Sequence, residues 1–444
     1  MNRGFDINNN AYPPRQSLRR DIACWSGTLG LAAVALGLGV STAAINIGLA
    51  LLIVSALLVA DEIHRSLRPV EYGLVAALVA FLCLDTAWAV QVMGAEPDNA
   101  GAGLRELIKV SGITAIAAGW WLAHGRLNLR QLLLLTTSGI LLGTLSTIDF
   151  QQLLAGAERY RLTSMNSNEL GFLAGTLLVM SVIALLPARV DEQANPAVRS
   201  GYRALFLVTA AIAVGLILLS QSRAALLASA GALVVVFSLR TLLPASRNRR
   251  SRRHLVAVMA TALMLTAALI LSPVGKVISD RFDSLENSIY LFTSLGSDAT
   301  PPEGFRDQVR LQLWRDGLAR IKQAPLLGHG AGTPEKFIAA IGLDEIEHFK
   351  HYHNFWVNTL VSIGVVGTLG FLTLFLGFTV IALRDAVRSD MLTSWLALAL
   401  WLYFLTTILV QMRVNHPSGH AFFALAGGFS LHHLLQRRSA RRQP

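Results

Sequence analysis

Charge is scarce in this chain. Only 15% of its 444 residues are Asp, Glu, Lys or Arg, while 53% are hydrophobic. A soluble protein carries about a quarter charged residues, so this composition excludes a soluble fold and implies a polytopic membrane protein. Cysteine is almost missing: Cys24 and Cys83 both lie in apolar stretches, which leaves no disulfide framework and no zinc cluster. Short alternating segments of the kind that build a transmembrane barrel are also missing. No HExxH, CxxC, P-loop or G-x-S-x-G pattern occurs, so the familiar metal, nucleotide and serine-nucleophile chemistries have no foothold. The first twenty residues lack the short apolar core of a cleaved signal. They are polar, carry Arg3, Arg15, Arg19 and Arg20, and read as a cytoplasmic leader.

What the chain has instead is about twelve apolar runs of span length. They lie near 25–41, 43–60, 72–93, 107–123, 131–147, 168–187, 203–220, 223–240, 254–272, 354–382, 391–410 and 420–434. The fold class is therefore an all-α membrane bundle. Transmembrane helices occupy 1–272 and 353–434, a large loop spans 273–352, and a basic tail follows at 435–444. The net charge of +11 gathers in alternate loops, above all in Arg247-Asn248-Arg249-Arg250-Ser251-Arg252-Arg253 and the tail Arg437-Arg438-Ser439-Ala440-Arg441-Arg442. That alternation obeys the positive-inside rule, so the basic excess is topology with some attraction to membrane lipids, and no nucleic-acid partner is implied. Loops 94–106, 148–167 and 273–352 then face away from the cytoplasm. The first is a Pro/Asn/Gly connector. In the last, 306–323 has the pattern of an amphipathic helix, Leu326 to Gly332 forms a turn, and 334–341 is a further short helix.

The most informative stretch is His351-Tyr352-His353-Asn354-Phe355-Trp356, where the long loop meets a span. Polar groups at a span's mouth need a substrate path, a proton relay or a surface reaction to justify them. At half-wet depth the imidazole of His353 can act as base or donor; alternatively it caps the helix or meets headgroups. Arg161, Arg223, Arg306, Arg310, Arg315 and Arg413 lie on the non-cytoplasmic side, where arginine is usually depleted. Arg223 is the sharpest of these, in a turn of a few residues between two spans. A guanidinium there can grip phosphate bidentately or snorkel to headgroups. Arg413 and His416, in a short outer loop, can help line a site but read mainly as loop packing. His329, among glycines, shapes a turn, and Asp344 to His348 is a solvated acidic loop rather than a metal site. Asp85, inside the third span, is either a structural carboxylate or a coupling group of a transporter.

Four blocks appear in order: Ser222-Arg223-Ala224-Ala225, Arg310-Leu311-Gln312-Leu313-Trp314, Pro325-Leu326-Leu327-Gly328-His329-Gly330, and His353-Asn354 with Gly364 and Gly367. With the long loop between them they resemble the bacterial superfamily of O-antigen ligases, O-antigen polymerases and protein O-oligosaccharyltransferases. That resemblance implies a GT-C-class glycosyltransferase of the Gram-negative inner membrane with no cofactor and no metal. Its donor would be an undecaprenyl diphosphate-linked glycan and its active site would face the periplasm. It casts Arg223 and Arg310, with Arg161 as a third, on the diphosphate. His353 activates the acceptor hydroxyl, as base or by orienting it, and Asn354, His351, Arg306 and Trp314 support the site. One dominant late loop and the absence of an extra C-terminal domain resemble the ligase, whose acceptor is the lipid A–core. A polymerase, a protein O-oligosaccharyltransferase or, in another class, a lipid-glycan flippase are the competing readings.

Overall fold

The computed structural model describes residues 14–92, 94–148, 166–186, 196–220, 222–242, 308–342 and 349–440. The expected span 254–272, Arg161, Arg306, the acidic segment 344–348 and most of the long loop lie outside these residues. Among the described residues every regular element is helical. In chain order they are α1 (Pro14–Val40), α2 (Thr42–Leu58), α3 (Ala60–Ser66), α4 (Pro69–Gln91) and α5 (Pro97–Lys109). Then come α6 (Ile113–His124), α7 (Leu129–Leu145), α8 (Ser167–Ala184), α9 (Pro196–Ser220) and α10 (Arg223–Leu242). The last five are α11 (Gln308–Gln323), α12 (Thr333–Ala339), α13 (Phe355–Ser389), α14 (Leu392–Ile408) and α15 (Pro417–Ala440). Among the described residues six helices are long and apolar enough to cross a bilayer, or seven if α2 and α3, bent by 79°, count as one span.

Two expectations are corrected. The run 107–123 is not one helix, because Gly112 adopts φ +106 and ends the path between α5 and α6. Only a residue without Cβ holds that conformation at low cost. The segment 94–106 is not a plain connector either: from Pro97 it is helical, with proline at the start of α5 and Lys109 2.8 Å from Glu106 near its end.

Charged side chains join the helices at one end. Arg438 of α15 forks onto Glu71 of α4, its Nη2 2.8 Å from Oε1. Arg240 of α10 is 3.4 Å from Asp390, just after α13. At the opposite end start α8, α10, α13 and α15, and there His351, His353, His416 and His420 gather. An aromatic seam fills the bundle between these ends. Phe375 packs on Phe355, Phe371, Trp401, Phe404 and Phe423, with ring centroids 5.6–6.0 Å apart, and Trp401 Nε1 donates to Ser430 Oγ at 3.0 Å.

The decisive local feature lies in α13. Its 35 residues would measure about 50 Å as one rod, well over the ~30 Å of a bilayer's hydrocarbon core. The helix breaks at Gly364, at φ 60 and ψ −168. A break releases backbone groups that lipid cannot satisfy. The turn Pro325–Gly330 meets them: His329 N–H donates to Val361 O at 2.8 Å and Gly330 N–H to Ser362 O at 2.7 Å. In return Val365 N–H donates to Pro325 O at 2.9 Å and Val366 N–H to Leu326 O at 3.2 Å. Gly328 and Gly364 are both in left-handed conformation and touch backbone to backbone. Helix α4 closes the other side, with Leu78 against Gly370, Phe81 against Gly367 and Ala89 against Gly330.

Gly364→Ala should therefore lower stability by roughly 2–4 kcal/mol, through left-handed strain plus a Cβ driven onto Leu326 O. Thermal denaturation in nanodiscs checks this; an unchanged midpoint would show that the break relaxes freely.

Candidate active site

Helix α11 buries Leu311, Leu313, Trp314 and Gly317 against the start of α13. Gly317 is required there, since a Cβ would meet Val357. Trp314 Nε1 donates to Tyr352 O at 2.8 Å, and Tyr352 Oη donates to Asp316 Oδ2 at 2.7 Å. Burial and the neighbouring Asp316 carboxylate push the Tyr352 phenol far above its usual range, so it stays a donor. Tyr352 N–H also reaches Asn358 Oδ1 at 3.3 Å. A fully buried tyrosine thus pins the backbone between the two histidines.

With Tyr352 fixed inward, His351 and His353 lie on either side of it. Their rings meet edge to face at 4.5 Å, and Phe349 packs on His353 at 4.6 Å. His353 N–H donates to His351 Nδ1 at 3.3 Å. Burial, then the charge of Arg413, pulls the His351 pKa down to about 4, so it remains a neutral acceptor. His353 holds φ 54, a left-handed conformation uncommon for a residue with a side chain. Strain of that kind persists only where its surroundings impose it. The helix cap is Asn354: its Oδ1 accepts from Trp356 N at 2.9 Å and Val357 N at 3.2 Å, while Nδ2 donates to Leu409 O at 2.8 Å. That last bond ties the histidine loop to the turn between α14 and α15.

Ser222 begins α10 at this end, its Oγ accepting from Ala225 N at 3.4 Å. It packs against Gly171 in the first turn of α8, which places Arg223 at the same end of the bundle. Arg310 lies one turn before Trp314 on α11, on the face that meets Tyr352. The structure thus brings His353, His351, Asn354, Trp314, Arg310 and Arg223 to one end.

Arg413 and His416, expected as loop packing, are set among buried polar groups. Arg413 is only 6% exposed; its Nε donates to Gln411 Oε1 at 2.7 Å and its guanidinium sits 5.3 Å over the Phe172 ring. Burial lowers its pKa to about 10, with Glu169 and Tyr403 acting the other way, so it remains a cation. His416 Nδ1 lies 3.2 Å from Glu169 Oε1, and the fully buried His420 has Nε2 2.8 Å from Glu106 Oε2. The sequence offered one signal for Glu169, an acid in the first turn of an apolar helix capped by Asn166. Nothing local signalled its partner 247 positions on.

Residues 208–372 match the family model for O-antigen ligase. That segment is similar to the O-antigen ligase family. The matched segment carries Arg223, α11, the Pro325–Gly330 turn and His353-Asn354. Curated proteins gave no match. Glu169, Arg413, His416 and His420 lie beyond the matched segment.

His353→Gly should separate fold from function. It removes the left-handed strain that His353→Ala keeps, so the glycine variant should be more stable than the alanine variant by about 1 kcal/mol while neither supports activity. Paired thermal melts and activity assays read this. Equal midpoints would show that the local backbone is not strained.

Proposed function

We propose that this chain transfers O-antigen polysaccharide from undecaprenyl diphosphate to the lipid A–core at the periplasmic face of the inner membrane. The family match supports O-antigen ligase or polymerase activity in the broad sense. One observation supports the mechanism: three separated blocks of the matched segment meet at the end of the bundle where a strained histidine stands at the head of α13.

The donor's leaving group is a diphosphate, whose negative charge grows as the glycosidic bond breaks. Arg223 and Arg310 bind it, with Arg161 as a third. One arginine–phosphate contact at about 4 Å is worth roughly 4 kcal/mol at an effective dielectric near 20. Contacts that strengthen as charge develops lower the barrier rather than merely tightening binding. The N-termini of α8, α10, α13 and α15 point the positive ends of their dipoles the same way. His353 meets the acceptor hydroxyl for in-line attack at the anomeric carbon, and a single displacement inverts its configuration. Asn354 and His351 hold that histidine, and Trp314 holds the loop. Arg306 belongs to the same end in this reading. No metal is needed, since arginines carry the countercharge.

The test is reconstitution with lipid-linked O-antigen and lipid A–core, with and without EDTA, read as a glycan ladder. Wild type should give an EDTA-resistant ladder. Arg223→Ala and Arg310→Ala should each lower transfer by about 100-fold or more, and lysine should restore only part. Elongated lipid-linked glycan without ligation would favour a polymerase. Proton-coupled lipid movement without any new glycosidic bond would favour a flippase.

A further inference from the structure

Arg413 is a buried cation to which the mechanism above gives no task. It lies in the turn between α14 and α15, outside the segment matched by the family, and is almost wholly enclosed. Glu169 is the carboxylate whose charge acts on it. Yet among the described residues no carboxylate comes within ion-pair distance of its guanidinium. A cation taken out of water without such a partner is costly, and an anionic ligand offsets that cost. Snorkelling to lipid headgroups does not account for it, because a snorkelling guanidinium reaches water.

Its hydrogen bonds leave one edge of the guanidinium open. Nε donates to Gln411 Oε1 at 2.7 Å, and Gln411 is itself buried. The Phe172 ring, 5.3 Å from the guanidinium carbon, backs the group, and Tyr403 Oη donates to Phe172 O at 2.9 Å. The backbone is fixed as well. Arg413 O accepts from His416 N–H at 3.2 Å, and Gly419 lies so close to that carbonyl that a Cβ would not fit. Nη1 and Nη2 make no hydrogen bond among the described residues. Two N–H groups on one edge of a planar fork match two oxygens of a phosphate.

Contacts on two sides tie Arg413 to the site. Asn354 Nδ2 donates to Leu409 O at 2.8 Å, which joins the turn to the His353 loop. The charge of Arg413 reaches the His351 ring, and that ring meets His353 at 4.5 Å. On the other side, Phe172 follows Gly171, against which Ser222 packs, and Arg223 follows Ser222. The start of α8 is thus shared by the Arg413 turn and the start of α10.

We propose that Arg413 is a further phosphate ligand of the donor, gripping the lipid diphosphate through Nη1 and Nη2 beside the His351–His353 loop. The identity of that ligand rests on the glycosyl-transfer reading above. Arg413 moves no proton in this role. It holds the leaving group in place and neutralises part of the charge that builds there.

The experiment titrates undecaprenyl diphosphate, without glycan or acceptor, onto the full chain in phosphatidylcholine nanodiscs. Arg413→Gln should weaken binding by about 30-fold. Arg413→Lys, which keeps the charge but loses the fork, should weaken it by about fivefold. Should both variants misfold, Gln411→Glu carries the test. It keeps the partner of Nε and sets a negative charge against the phosphate, so it should weaken binding by about tenfold. A folded Arg413→Gln or Gln411→Glu that binds within about threefold of wild type overturns the proposal. So does phosphatidylglycerol that displaces the lipid diphosphate from wild type but not from Arg413→Gln, because Arg413 would then serve ordinary headgroups. Wild type that binds no undecaprenyl diphosphate overturns the donor reading, and this proposal with it.

Discussion

The exchange of hydrogen bonds between the Pro325–Gly330 turn and the break in α13 is the constraint on which the active end depends. As one straight rod across a bilayer, a 35-residue helix would leave about four turns outside the hydrocarbon core. Breaking it at Gly364 lets the first nine residues set their own direction, but frees backbone groups that must be paired. Four inter-segment bonds do so. With the turn docked, α11 is held alongside the start of α13, and Trp314 and Asp316 reach Tyr352. Tyr352 in turn dictates where His351 and His353 stand. Packing at a helix break thus sets the geometry of a site several turns away.

That chain of contacts explains why the blocks of the resemblance are spaced as they are. The glycine-rich turn is where two backbones touch. The tryptophan of α11 holds a carbonyl rather than facing a substrate. Asn354 caps the helix and frees His353 from that duty. The arginines differ in kind, because burying cations at one end of an apolar bundle costs energy that contacts with a strongly anionic partner would offset.

Sequence patterns reached the helices and the mouth of the site more easily than its interior. Apolar runs such as 168–187 and 391–410 announce themselves because lipid admits little else. The place of His353 at the head of α13 was legible, since polar groups at the start of an apolar run are conspicuous. The break at Gly364 was not, because glycine inside an apolar run gives no sign of its φ. The helix 97–109 was hidden by its Pro, Asn and Gly, which resemble a turn until the charges of Glu106 and Lys109 find their places. Arg413 and His416 were underrated for another reason. Their partner Glu169 is more than 240 residues away, and only the fold brings it beside them.

The measurement that bears most directly on the account is a structure of the protein in nanodiscs with a non-transferable undecaprenyl diphosphate analogue. The account predicts density for the two phosphates at the histidine end, within hydrogen-bonding distance of Arg223 and Arg310, with the anomeric position turned toward the His353 loop. Phosphates bound at the opposite end, beside Arg240 or Arg437 and Arg438, would contradict it.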